Sequence, residues 1–213
     1  MKNEMLEFYI KDGRSDKHTR HAYPWLYDPL LRHKKETAKN ILELGVHLGG
    51  SLDAFADFFP NAQVHGVDVM IPQDQPDAIA TQDGTLQPPI PPFHPRVTFH
   101  LGNAYECTDH TAGRPVPTKA ETFKKFDGIL WDVVLDDGPH MKETQLESLE
   151  YFHTRLAPNG VLLIEDVKEY EFEWIVNQFC DAHPEVYKNL SVINRKHASR
   201  TPYRDEFILM YME

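Results

Sequence analysis

Two short acidic motifs in the 213-residue chain have the makings of a reactive centre. Asp136-Asp137-Gly138-Pro139-His140 ends one apolar run, and Glu165-Asp166 ends the next. If the two runs are neighbouring strands, up to four carboxylates meet at one rim. Carboxylates held within a few ångströms raise one another's pKa unless a cation neutralises them. An all-oxygen donor set without cysteine suits Mg²⁺, Mn²⁺ or Ca²⁺ better than Zn²⁺. Gly138 permits a sharp turn, so His140 can swing back towards the carboxylates, and a histidine titrating near neutrality is a candidate general base. The same residues also have plainer readings. Asp-Asp-Gly is an ordinary turn, and Glu165-Asp166 can simply cap the following helix.

A second constellation lies upstream, at Glu43-Leu44-Gly45-Val46-His47-Leu48-Gly49-Gly50-Ser51. Glycine at 45 and 49 lets the backbone approach a ligand, and the helix that follows aims its positive end into the gap. The spacing is E-x-G-x-x-x-G, not the G-x-G-x-x-G of dinucleotide enzymes, which argues against NAD and FAD. Asp68 lies 23 residues beyond Gly45, at the end of the next apolar run, where a carboxylate accepts hydrogen bonds from ribose hydroxyls. Asn103 follows the third such run, within reach of an adenosine edge. A glycine turn alone would be only a tight strand–helix connection.

The elements that position these residues are legible as apolar runs. Strands are predicted at 40–46, 63–69, 96–101, 131–136 and 160–165, with closing strands at 189–195 and 206–211. Helices are predicted at 51–59, 142–156 and 170–179. Strands alternating with helices imply an α/β fold, a Rossmann-like doubly wound and mostly parallel sheet of seven strands. The last two strands have only a short connection bearing Pro202, so they close it as an antiparallel hairpin. Two loops interrupt the rhythm. Pro72–Pro95 holds seven of the 16 prolines, and Cys107–Thr122 is polar with proline and glycine. Both follow strand C-termini, where open parallel sheets bind ligands, and long loops there act as lids or insertions.

Over residues 38–213 this combination resembles the class I S-adenosylmethionine-dependent methyltransferases, whose seven-stranded sheet also ends in an antiparallel hairpin. The resemblance implies S-adenosylmethionine as cofactor, with Glu43, Gly45, Gly49, Ser51, Asp68, Asn103 and Asp136 on the cofactor side. Asp136-Asp137-Gly138-Pro139-His140 is similar to the D-D-G-S-H motif of the metal-dependent sugar O-methyltransferases, the mycinamicin and macrocin type. Carried over by position, that implies Mg²⁺ (or Mn²⁺) held by Asp137, Glu165 and Asp166, with His140 as base and Asp137 beside it in catalysis. Gly13-Arg14-Ser15-Asp16-Lys17-His18, with His21, Tyr23 and Tyr27, is similar to the family's G-T-D-K…H-x-Y…Y segment. Residues 1–37 are therefore expected to cover the active site of a methyltransferase domain at 38–213. Pro139 departs from the family's serine, and the extra N-terminal domain of some larger members is not expected here.

Composition narrows the function further. With 33 acidic and 22 basic residues the formal charge is −11, which disfavours nucleic acid as a partner. No run approaches the roughly 20 apolar residues of a membrane span. The first residues lack the apolar core of a secretory signal, and two cysteines make no disulfide framework, which favours the cytoplasm. The partner expected is a small-molecule hydroxyl acceptor, such as a sugar or other vicinal diol, and a homo-oligomer is compatible with the sequence. Two alternatives compete: a catechol-type O-methyltransferase, and a module that binds S-adenosylmethionine without catalysis.

Overall fold

Strand β1 (Asn40–Leu44) has four consecutive buried residues, and such a strand belongs at the centre of a sheet covered on both faces. The computed structural model, which describes residues 2–19, 21–74, 90–107, 115–198 and 207–213, places it there. The other strands are β2 (Gln63–Asp68), β3 (Val97–Leu101), β4 (Trp131–Asp136), β5 (Leu156–Val167), β6 (Leu190–Asn194) and β7 (Phe207–Met212). Their order is β3-β2-β1-β4-β5-β7-β6. All pairings are parallel except those of β7, which runs antiparallel to both β5 and β6. The fold is thus the predicted α/β sheet with its closing hairpin.

Side-chain alternation sends adjacent strand residues into two cores. Ile41, Val133 and Leu163 enter one, with Tyr9, Tyr27 and Phe55. Leu42, Val134 and Leu162 enter the other, with Phe152 and Phe179. Helices α1 (Glu4–Asp12), α2 (Pro24–Leu31) and α3 (Gly50–Phe58) cover the first face. Helices α4 (Lys119–Phe123), α5 (Lys142–Phe152) and α6 (Phe172–Ala182) cover the second. The sheet reverses direction of growth between β1 and β4, where Leu44 pairs with Asp136. A doubly wound sheet opens its ligand crevice at such a point.

Several boundaries differ from the sequence expectation, each for a local reason. The helix predicted to reach Leu156 stops at Phe152, and Leu156 instead pairs with Trp131 as the start of a long, irregular β5. Asn159 adopts φ 60° within that irregularity. The second loop gives way to α4 at Lys119, because Thr118 and Glu121 form a reciprocal capping box. The N-terminal segment contains α1 and α2. Asn3 caps the first through Leu6 N–H, and Gly13 ends it at φ 76°. The Pro202-bearing connection, Glu206, and loop residues 75–89 and 108–114 lie outside the described residues. Among the described residues no helix is long and apolar enough to cross a membrane.

Candidate functional site

The crevice begins where β1 ends. Gly45 takes φ 80°, and a Cβ there would lie 2.1 Å from the Asp137 carbonyl oxygen, so only glycine lets the ends of β1 and β4 press together. Gly49 caps α3 at φ 78°, and its missing Cβ leaves room for the Phe93 ring. Asp68, at the end of β2, braces this turn. Its Oδ2 accepts the N–H groups of Val46 (2.7 Å) and His47 (3.1 Å), and its Oδ1 that of Met70 (2.9 Å). Asn103 Oδ1 accepts Tyr105 N–H at 3.0 Å. Gly45, Asp68, Asn103, Tyr105, Asp137 and Gly138 line a half-open cavity of about 230 Å³.

Glu43 and Ser51 do not line this cavity. Glu43 is fully buried, and the Ser51 hydroxyl donates to its carboxyl, at 2.6 Å from Oε2. Burial pushes the Glu43 pKa up to about 8, against the opposing pull of Lys17 and Ser51. Asp136 is also turned inward, accepting Tyr105 O–H at 2.6 Å, Gly138 N–H at 3.0 Å and the Ser148 hydroxyl. Burial raises its pKa, with those donors opposing the rise. Glu43, Ser51 and Asp136 are all buried and bonded within the protein, and none of them lines the cavity.

The second half of the site lies at the ends of β4 and β5. His140 adopts φ 55° and Asp166 φ 53°, a region that non-glycine residues occupy only where the surroundings enforce it. The two strained residues converge: His140 Nε2 is 3.2 Å from Asp137 Oδ1 and 3.7 Å from Asp166 Oδ2. Lys17 reaches in from the N-terminal segment, its ammonium 2.5 Å from Asp137 Oδ2 and bonded to Glu165. Tyr27 O–H donates to the other Glu165 oxygen, and Tyr23 O–H donates to Asp166.

The charges follow this geometry. Although burial opposes it, Lys17 and His140 hold Asp137 well below the usual carboxylate range. Burial likewise opposes the charge on Lys17, but Asp137, Glu165 and Glu43 raise its pKa well above that of a free lysine. Burial pushes Glu165 up to about 8, with Lys17 opposing the rise. His140, despite burial, is raised to about 9 by Asp137 and Asp166, so in the free protein its ring carries a proton at neutral pH.

Of the three expected metal ligands, Asp137 and Asp166 converge with His140, and among the described residues the donor atoms of this trio lie within 4.8 Å of one another. That spread and the mainly oxygen donors fit a divalent ion. Glu165 has other partners: both its oxygens are engaged, by Lys17 and Tyr27. Several site residues went unread in the sequence. Tyr105 and Ser148 hold Asp136, and Gln145 Nε2 donates to the Glu165 carbonyl at 3.1 Å. Arg195 donates to the carbonyls of His21 and Ala22 at 3.1 and 3.0 Å, tying down the N-terminal segment. Gln145 and Ser148 sit three apart on α5, a polar pair on a helix face that a purely apolar pattern overlooks.

Comparison with known proteins agrees with the fold. Residues 42–167 match a family model described as a methyltransferase domain. No curated protein matches the sequence. Among solved structures, the methyltransferase MycE from the mycinamycin biosynthetic pathway, in complex with Mg, SAH and mycinamycin VI, aligns at 18% identity and TM-score 0.65. The alignment covers 98% of this chain and 53% of MycE. This chain thus spans about half the length of the MycE structures it matches. A candidate O-methyltransferase from Klebsiella pneumoniae aligns at 16% identity and TM-score 0.55, covering 98% of this chain and 88% of that one. An rRNA methylase from Streptococcus thermophilus aligns at 11% identity and TM-score 0.53, covering 88% and 94%. At these identities the likeness is one of fold, the Rossmann-like fold of class I S-adenosylmethionine-dependent methyltransferases.

Proposed function

We propose, from the premise that the chain belongs to the methyltransferase domain family, that it transfers a methyl group from S-adenosylmethionine to a hydroxyl oxygen of a small molecule. The observation that carries this reading is a juxtaposition. The cavity edged by Gly45, Asp68 and Asn103 runs up to Asp137 and Gly138, and Asp137 in turn adjoins His140, which adjoins Asp166. A sulfonium needs no activation, only placement in line with the attacking oxygen, so much of the catalysis is positioning. Asp68 faces the cavity as an acceptor for ribose hydroxyls, and Asn103 stands beside it.

The acceptor hydroxyl is the poor partner, and its activation falls to His140. The imidazole, in its neutral form, takes the hydroxyl proton as the oxygen attacks the methyl carbon. Asp137 orients the ring through its contact with Nε2. Asp137 and Asp166 would hold Mg²⁺ or Mn²⁺, with His140 adjoining. Such an ion, when bound, supplies positive charge that lowers the hydroxyl's pKa and offsets the carboxylates that keep His140 protonated. MycE, whose structure holds Mg, SAH and mycinamycin VI, supports a small-molecule acceptor, and the acceptor class we propose is a sugar or other vicinal diol.

Calorimetry should show S-adenosylmethionine binding, and a panel of glycosides and polyols should yield S-adenosylhomocysteine. A catechol panel and an RNA substrate are the competing arms. Turnover on catechols alone would make this a catechol-type enzyme. RNA methylation with a steep salt dependence would overturn the small-molecule reading despite the chain's charge of −11. Cofactor binding without turnover on any arm would leave a binding module.

A further inference from the structure

Lysine is among the residues least often fully buried, yet the Lys17 side chain is only 4% exposed. Its backbone is anchored on both sides. Lys17 N–H donates to the Ser15 hydroxyl at 3.2 Å, and Tyr23 N–H donates to the Lys17 carbonyl at 2.9 Å. Upstream, Arg14 pairs with Asp12 and Asp53 and donates to the Leu48 carbonyl at 3.2 Å, fastening the segment to α3 and the turn before it. The ammonium is thereby delivered between Asp137 and Glu165. With Tyr27 on its other oxygen, both Glu165 oxygens are engaged, and a further cation would have to share one of them with Lys17 or Tyr27. The donor atoms still facing one another are those of Asp137, His140 and Asp166.

We propose that Lys17 is the resident cation of this carboxylate cluster, competing with a divalent ion at Asp137 and withholding Glu165 from it. The inference rests on reading the cluster as the seat of such an ion. Its physical basis is like-charge repulsion. An ion on Asp137 sits a few ångströms from the ammonium, in surroundings where burial limits screening. The ion is then weakly held and exchangeable, and recruiting Glu165 as a ligand requires Lys17 to withdraw with the segment that carries it. Lys17 is in this sense a positioning residue, acting through Asp137 and Glu165.

The test is a Mn²⁺ titration of the full chain followed by electron paramagnetic resonance, on the wild type, Lys17→Met, Glu165→Gln and the double variant. Lys17→Met should bind Mn²⁺ at least about tenfold more tightly. A merely structural role for the lysine would move affinity the other way. Glu165→Gln should change Mn²⁺ affinity by less than about threefold while Lys17 is present, and weaken it by about tenfold in the Lys17→Met background, a coupling that the four-way cycle isolates. Unchanged or weaker binding by Lys17→Met overturns the proposal, as does tenfold weaker binding by Glu165→Gln alone or no Mn²⁺ binding by any form. If Lys17→Met does not fold, the Glu165→Gln measurement decides. Calorimetry with S-adenosylmethionine on the same proteins reports the cofactor side separately, so a failure of the methyltransferase reading is seen apart from a failure of this one.

Discussion

The two halves of the crevice are built by different means. On the β1–β2 side, backbone does the shaping: two glycines at positive φ, and three backbone N–H groups gathered by Asp68. Its contacts are short in sequence, with Asp68 only 22 and 21 residues from Val46 and His47. On the β4–β5 side, ionisable side chains do the shaping, and their partners are remote. Lys17 lies 120 residues from Asp137 and 148 from Glu165. A rim built of turns is vulnerable to an added methyl group and largely indifferent to charge. A rim built of buried ions is vulnerable to the loss of any one charge, because the others are left uncompensated.

The sharpest way to separate the halves is His140→Ala. It removes the proposed base from the charge-built rim and leaves the glycine turn untouched. Turnover should fall by about 10²–10⁴-fold, the range for loss of a positioned acid–base group. S-adenosylmethionine affinity should stay close to that of the wild type. Initial rates of S-adenosylhomocysteine release, set beside calorimetric binding, distinguish the two effects. A variant that turns over normally removes His140 from the mechanism. One that loses cofactor binding in step with turnover shows that the halves are not independent.

Gly45→Ala attacks the junction between them. A residue forced into a sparsely populated backbone region costs on the order of 1–3 kcal/mol, before any clash is counted. Here the new Cβ would also meet the Asp137 carbonyl at 2.1 Å. Cofactor affinity should therefore drop by about tenfold or more. Because Asp137 carries one contact to His140, turnover should fall beyond what weaker binding explains. Calorimetry and saturation kinetics together read both losses. Wild-type affinity in this variant would mean that the β1 turn can relax, and that its close approach to β4 is incidental.

The same contrast explains what the sequence disclosed. The sheet was readable because its central strands carry apolar residues on both faces, as in Ile41-Leu42 and Val133–Leu135. The glycine turn and the Asp-Asp-Gly-Pro-His motif were readable because each is local. The burial of Glu43 and Asp136 was not legible, since a strand residue's facing depends on neighbours that the sequence does not rank. The capping box at Thr118–Glu121 was present in the letters but outweighed by the prolines around it. Helices α1 and α2 had signals too, Asn3 and Gly13 for one and Pro24 for the other. Lys17 is different in kind. Its segment was placed over the site by resemblance, but its burial was not legible, because only the acids it meets far along the chain make a buried lysine tenable.

Glu43→Gln makes the smallest change and asks whether the backbone-built half is truly free of charge dependence. The Glu43 pKa is raised from 4.5 to about 8 in the folded protein. Between those values the folded state holds a proton that the unfolded chain has released, so the native state loses stability as pH rises through this window. The slope from one such group is at most about 1.4 kcal/mol per pH unit. Glutamine imitates the protonated carboxyl and keeps a partner for the Ser51 hydroxyl, so it should remove that slope. Wild type and variant should melt together near pH 5, and the variant should melt higher near pH 9, by a few degrees in thermal denaturation followed by circular dichroism. Parallel curves would mean that Glu43 is already ionised and that Lys17, directly among its neighbours in charge, stabilises it there. The cofactor side would then share the charge dependence of the opposite rim, and Lys17 would be the cation serving both.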